Sequence, residues 1–247
     1  YFVFNKNINR YLFITFLISA FIIVFFSGER LAFFIIIFCI LYILVQLKNY
    51  RKVILASSLL LFLIIFVIIS LNENVKNRMI LSSFAFLNSD KIEIYSPPEN
   101  FVIFSPDHHE LYVAAYKMFL NKPILGHGHD MYYKNCGDFK RSASSCSTHP
   151  HNTFLQIAVE NGVIGLFFLI LIYLYLLYQF FHNLLKKNIF RDNYFFLKIC
   201  LLAIISANIF PLVTSGNFFN NWISILYYLP VGLYLSLSMS NTLNNND

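Results

Sequence analysis

The chain reads as an all-α polytopic membrane protein, with about six transmembrane helices and one large extracytoplasmic loop containing short helices. Three observations predict this class. Of 247 residues, 58% are hydrophobic and 12% charged, against roughly 25% charged in soluble domains. The apolar residues gather in six runs near the length a bilayer demands, about 17–25 helical residues. The lysines and arginines sit in short clusters at the ends of those runs rather than across one face. That placement is a topology signal, so the formal net charge of +6 argues for membrane lipids and no nucleic acid as partner.

Taken in order, the runs are Tyr11–Phe26, Leu31–Leu47, Val53–Leu71, Val163–Phe181, Tyr194–Val213 and Trp222–Ser238. Isoleucine and valine are plentiful in them, but in lipid a helix satisfies its own backbone and an isolated strand does not. Lys6 and Arg10 precede the first run, Lys48, Arg51 and Lys52 join the second to the third, and Lys186, Lys187 and Arg191 join the fourth to the fifth. The opposite short loops hold only Arg30. Positive residues stay inside, which places both termini in the cytoplasm. The expected organisation is three spans in 1–71, an outer loop over 72–161, and three spans with a cytoplasmic tail in 162–247. The chain begins with Tyr1 and shows no signal-peptide pattern, so it reads as the C-terminal part of a longer protein.

The outer loop holds six of the seven histidines and nine of the twelve acids. Loops of that length normally carry function or structure of their own. Short strand-like pieces are expected around Ile92–Tyr95 and Phe101–Phe104. Asp107 and Glu110 have capping-box spacing and open an amphipathic helix of about His108–Leu120, stopped by Pro123. Gly126-His127-Gly128-His129 follows, a loop whose glycines permit tight turns or close approach to a ligand. Cys136 and Cys146 bracket nine residues and in an oxidising compartment form a disulfide. Cys39 and Cys200 lie within spans and read as small apolar residues.

Two places carry chemistry. Thr153 and Gln156 repeat the capping-box spacing, so a helix begins near Thr153 and ends at Asn161-Gly162 before turning into the fourth span. His151 then stands beside a helix N-terminus, which disfavours imidazolium and leaves a neutral ring able to take a proton from a hydroxyl. The bland alternative is a histidine that only caps or packs. Arg30 is a permanent charge at the tip of a helical hairpin, close to hydrocarbon, where it needs a partner. Its fork suits phosphate oxygens; a snorkelling arginine on ordinary headgroups is the alternative.

Three blocks, Ser27-Gly28-Glu29-Arg30-Leu31-Ala32, Pro123-Ile124-Leu125-Gly126-His127-Gly128, and His149-Pro150-His151-Asn152-Thr153-Phe154-Leu155-Gln156 with Glu160-Asn161-Gly162-Val163-Ile164-Gly165-Leu166, resemble the O-antigen ligase and O-antigen polymerase superfamily. The resemblance covers about Ser27–Leu166. It implies a bacterial inner-membrane, multi-pass glycosyltransferase with its active site on the periplasmic side. The implied donor is an undecaprenyl-diphosphate-linked glycan, and the acceptor a lipid A core or a second glycan. It further implies Arg30 on the donor diphosphate and His151 as general base, with His149, Asn152, Gly126, His127, Gly128 and His129 around the substrate. No metal and no cofactor enter this scheme. The chain departs from the family at Glu29, where many members have serine, and at the extra histidines of the glycine loop. His108 or His109 replaces an expected basic residue, which leaves a second phosphate ligand open.

Two other classes compete. His108-His109, His127-x-His129 and His149-x-His151 contain enough imidazoles for a zinc-dependent hydrolase, though not at HExxH spacing. A polysaccharide transporter or flippase would place ionisable groups at mid-membrane, where the runs hold only Lys198, near a cytoplasmic end.

Overall fold

The computed structural model describes residues 19, 21–26, 30–47, 51–77, 106–139, 146–185 and 194–244. Every regular element among them is helical. In chain order these are α1 (Arg30–Gln46), α2 (Arg51–Leu71), α3 (Glu73–Lys76), α4 (Pro106–Asn121), α5 (Met131–Asn135) with a 3-10 turn at Cys136–Asp138, α6 (Thr153–Leu185), α7 (Phe195–Asn208) and α8 (Asn221–Asn244). The strand-like pieces expected at 92–95 and 101–104 lie outside the described residues, as does most of the expected span Tyr11–Phe26, of which 21–26 is helical.

Among the described residues, two helices are long and apolar enough to cross a bilayer, Thr153–Leu185 and Asn221–Met239; Leu31–Gln46, Ser58–Leu71 and Phe195–Asn208 are apolar but shorter. The fifth expected span is the clearest correction. α7 stops at Asn208 after 14 residues, a rise of about 21 Å against the roughly 30 Å of a hydrocarbon core. Pro211 lacks an N–H and disfavours helical backbone at Phe210, so Ile209–Val213 is apolar without being helix.

The chain folds into two compact units. One comprises Tyr1–Phe84, Gln179–Ala207 and Pro230–Asp247. Phe21, Phe25 and Ile65 form its buried centre, with Phe33, Ile36, Leu61, Ile68 and Ile69 packed on them. Arg51 does more than mark topology: its Nε and Nη2 donate to the Leu44 and Val45 carbonyls at 2.9 and 3.0 Å, closing the C-terminus of α1.

The other unit comprises Ala85–Tyr178 and Asn208–Leu229. The apolar face of α4 packs here: Ala115 and Met118 meet Tyr132, Cys136 and Val159. Cys136 and Cys146 are joined, with Cα atoms 5.6 Å apart, and Tyr132 donates its hydroxyl to the Leu111 carbonyl at 3.3 Å. α6 is not one straight rod. Gly162 breaks it at φ 64°, ψ −162°, so the turns from Thr153 to Asn161 aim separately from the apolar stretch that follows.

Candidate active site

The site is built from the first turns of α6, the segment ahead of it, and the connection between α7 and α8, all within the second unit. Asn152, not Thr153, caps α6: its Oδ1 accepts the Leu155 N–H at 3.1 Å. Asn152 Nδ2 donates to the Pro211 carbonyl at 2.8 Å and the Val213 carbonyl at 3.4 Å. Thr153 and Gln156 are thereby released from the expected capping box. Thr153 donates its hydroxyl to Ser215 Oγ at 2.9 Å. Gln156 Nε2 donates to Asn217 Oδ1 at 2.7 Å, and its Oε1 accepts the Phe218 N–H at 3.0 Å. One polar face of α6 thus holds the irregular strap 211–218 along its length.

That strap positions the histidines. His149 Nε2 lies 3.2 Å from the Ser215 carbonyl, which can only accept, so this nitrogen carries the hydrogen. Nδ1 then accepts from the Thr148 hydroxyl at 2.9 Å. Ser215 N–H donates to the His151 carbonyl at 2.9 Å. His151 sits at φ 53°, a left-handed conformation that a residue with a β-carbon holds only when its surroundings impose it. Its ring centroid is 4.1 Å from that of His149 and 5.7 Å from that of His108, and Nε2 is 3.4 Å from Ser147 Oγ. Burial, then the neighbouring His149 and His108, push the His151 pKa down to about 4 against the opposing backbone hydrogen bond to Ser215. Burial likewise lowers His149 and His108. The ring is neutral at pH 7, as expected from sequence, but desolvation and two imidazoles do what was assigned to the helix terminus.

The glycine loop docks on the next turn of α6. His127 N–H donates to the Val159 carbonyl at 2.8 Å and Gly128 N–H to the Glu160 carbonyl at 3.0 Å. Gly126 and Gly128 have φ of 71° and 101°. A Cβ at Gly126 would stand 2.5 Å from the Glu160 carbonyl carbon, so the approach is backbone to backbone. Both nitrogens of His127 are used inside the fold: Nε2 donates to the Met118 carbonyl of α4 at 2.8 Å and Nδ1 accepts from Asn135 Nδ2 of α5 at 3.4 Å. His129 differs. Its side chain is 65% exposed, with Nδ1 3.9 Å from Glu160 Oε2 and its ring edge-on to Phe219 at 4.6 Å. Glu160, 1% exposed, accepts the Asp130 N–H at 3.0 Å and Gln156 Nε2 at 3.4 Å. Burial raises its pKa against these donors and His129, with nearby Asp130 adding to the rise.

The structure therefore gathers His149, His151, Asn152, Gly126, His127, Gly128 and His129 along two turns of one helix. Arg30 opens α1 in the other unit, and its side chain lies outside the described residues. Among the described residues no group of three or more His, Cys, Asp or Glu converges on a metal position. Sequence reading missed Ser215, Asn217 and the part played by Glu160. A polar stripe at Asn152, Gln156 and Glu160 on an otherwise apolar helix was the signal available for the last.

No solved structure matches the chain. A Rickettsia conorii protein named as a polysaccharide ligase is 33% identical over 138 residues, 48% of this chain and 32% of that protein. The chain thus matches about a third of the length of this relative. The O-antigen ligase family model matches residues 14–170, a stretch that takes in the strap-held histidines and the glycine loop, and the chain belongs to that family.

Proposed function

We propose that the protein is a membrane glycosyltransferase that moves a glycan from undecaprenyl diphosphate to a hydroxyl acceptor, a lipid A core or a second lipid-linked glycan, in the bacterial inner membrane with its site on the periplasmic side. The observation that carries the reading is His151: a half-buried imidazole, unprotonated at neutral pH, at the head of a helix in a chain of the O-antigen ligase family. In the reaction, the acceptor hydroxyl gives its proton to His151 while its oxygen bonds to the anomeric carbon. The bond from that carbon to the donor phosphate oxygen breaks, and undecaprenyl diphosphate leaves with the electron pair. Arg30 holds that developing charge.

The other named residues divide by their free atoms. His149, Asn152 and His127 spend their polar groups inside the fold, and Gly126 and Gly128 permit the docking of the loop, so these five shape the site. His129, exposed and steadied by Glu160, faces the donor or acceptor. The first test is His151→Ala. Glycan transfer in vesicles is expected to fall about 10²–10⁴-fold with unchanged membrane level; full transfer by that variant ends the base assignment. Deleting the gene separates the two acceptors: loss of all long glycan from the lipid anchor marks a ligase, and a single capped repeat unit marks a polymerase.

A further inference from the structure

α4 buries Leu111, Tyr112, Ala114, Ala115 and Met118, yet its far end and the turn beyond it are apolar and open. Leu120 is exposed, and adjacent Ile124 and Leu125 are 64% and 74% exposed. Lys117, ahead of Leu120, and Lys122, between Leu120 and Ile124, are both exposed. The turn is firmly attached. Gly126 N–H donates to the Lys122 carbonyl at 3.1 Å, and Val163 N–H donates to the Pro123 carbonyl at 2.7 Å. Gly162 lies so close to the Ile124 carbonyl that a Cβ there would collide with it. Val163 is where the apolar stretch of α6 begins, and Val163, Ile164, Phe167 and Phe168 are exposed on it. The open tip at Ile124 and Leu125 is therefore a sideways extension of the surface that a bilayer would cover, tied on at its very edge.

We propose that Leu120, Ile124 and Leu125 form a wedge inserted into the leaflet where the apolar stretch of α6 begins, with Lys117 and Lys122 resting on lipid phosphates. Lipid is the occupant because the tip continues the outer face of a bilayer-length helix and carries the apolar-and-lysine composition of an interface. The inference rests on α6 crossing the membrane and is independent of glycosyl transfer. Its consequence is positional: Gly126 follows Leu125 directly, so the wedge sets the glycine loop and His129 at headgroup height.

The test uses tryptophan as a depth gauge. Trp222 is the only tryptophan in the chain, so Trp222→Phe gives a silent background into which Leu125→Trp or Val163→Trp is placed. The protein is reconstituted into vesicles of phosphatidylcholine and phosphatidylglycerol, with or without phosphatidylcholine brominated near the headgroup end of its chains. Both tryptophans are expected to lose emission in brominated lipid and to resist acrylamide. If Leu125→Trp is quenched by acrylamide and untouched by bromine while Val163→Trp responds to bromine, the tip faces water and the wedge is overturned. If Leu125→Trp resists both quenchers, a protein covers the tip and lipid is wrong. If neither tryptophan responds to bromine, α6 does not span and the wedge falls with it.

Discussion

At the scale of single residues, His151 shows how a group of ordinary chemistry is given an unusual proton affinity. Burial removes water from the ring, and His149 and His108 would repel a charge on it. A free histidine with the ordinary value of 6.5 is roughly nine-tenths protonated one unit lower; His151 is not. The acid limb of kcat/KM is therefore expected near pH 4 to 5 rather than near 6.5, read from transfer rates across that range. Stability has a definite sign as well. The folded pKa lies below the unfolded one, so the unfolded chain binds more protons between them, and stability is full above about pH 6.5 and lost as pH falls toward 4. His149 and His108 shift in the same direction. Thermal unfolding followed from pH 7 to pH 4 is expected to show a falling midpoint, reduced in slope by His108→Gln. His151 was legible in the sequence as a candidate base. Its tertiary neighbours were not, because His108 stands forty-three positions away and nothing local announces the approach.

At the scale of elements, the break in α6 is what the glycine loop needs. Gly162 at φ 64°, ψ −162° occupies a region essentially closed to residues with a β-carbon. Gly162→Ala combines that strain, about 1–3 kcal/mol, with a collision against the Ile124 carbonyl. The expected outcome is loss of the loop's docking, seen as faster chymotryptic cleavage after exposed Leu125 and reduced transfer, while the helical circular dichroism persists. Asn161-Gly162 announced the end of a helix segment in the sequence. That Gly126 would dock beside it did not show, since backbone-to-backbone docking leaves no complementary side chains to read. The cap of α6 was misplaced by one residue for a related reason: Asn152 and Thr153 are both good caps, and only the carbonyls of Pro211 and Val213 decide between them.

At the scale of the whole molecule, hydropathy located the helices better than their ends. It joined Ile209–Val213 to α7 because apolar composition alone does not separate helix from irregular backbone, and Pro211 was the warning. The candidate site falls within one compact unit and Arg30 within the other, which makes their partnership in the proposed chemistry the widest step from sequence to function. The Cys136–Cys146 link bears on the compartment. In intact cells both thiols are expected to stay unlabelled by maleimide until a reductant is added, and to label directly in a strain without extracytoplasmic thiol oxidation. Replacing both by serine should lower the stability of this unit by about 3 kcal/mol on loop-closure grounds, measurable by denaturant titration in detergent.

The grip on the paired imidazoles has one more consequence. Ser215 holds His149 through its carbonyl and His151 through its amide, so the fixture is peptide rather than side chain. Genetic drift at that position can alter the hydroxyl without loosening either attachment, and proline is the one natural residue that deletes the amide half. The hold on the two histidines thus survives any other exchange for a side chain small enough for this buried position.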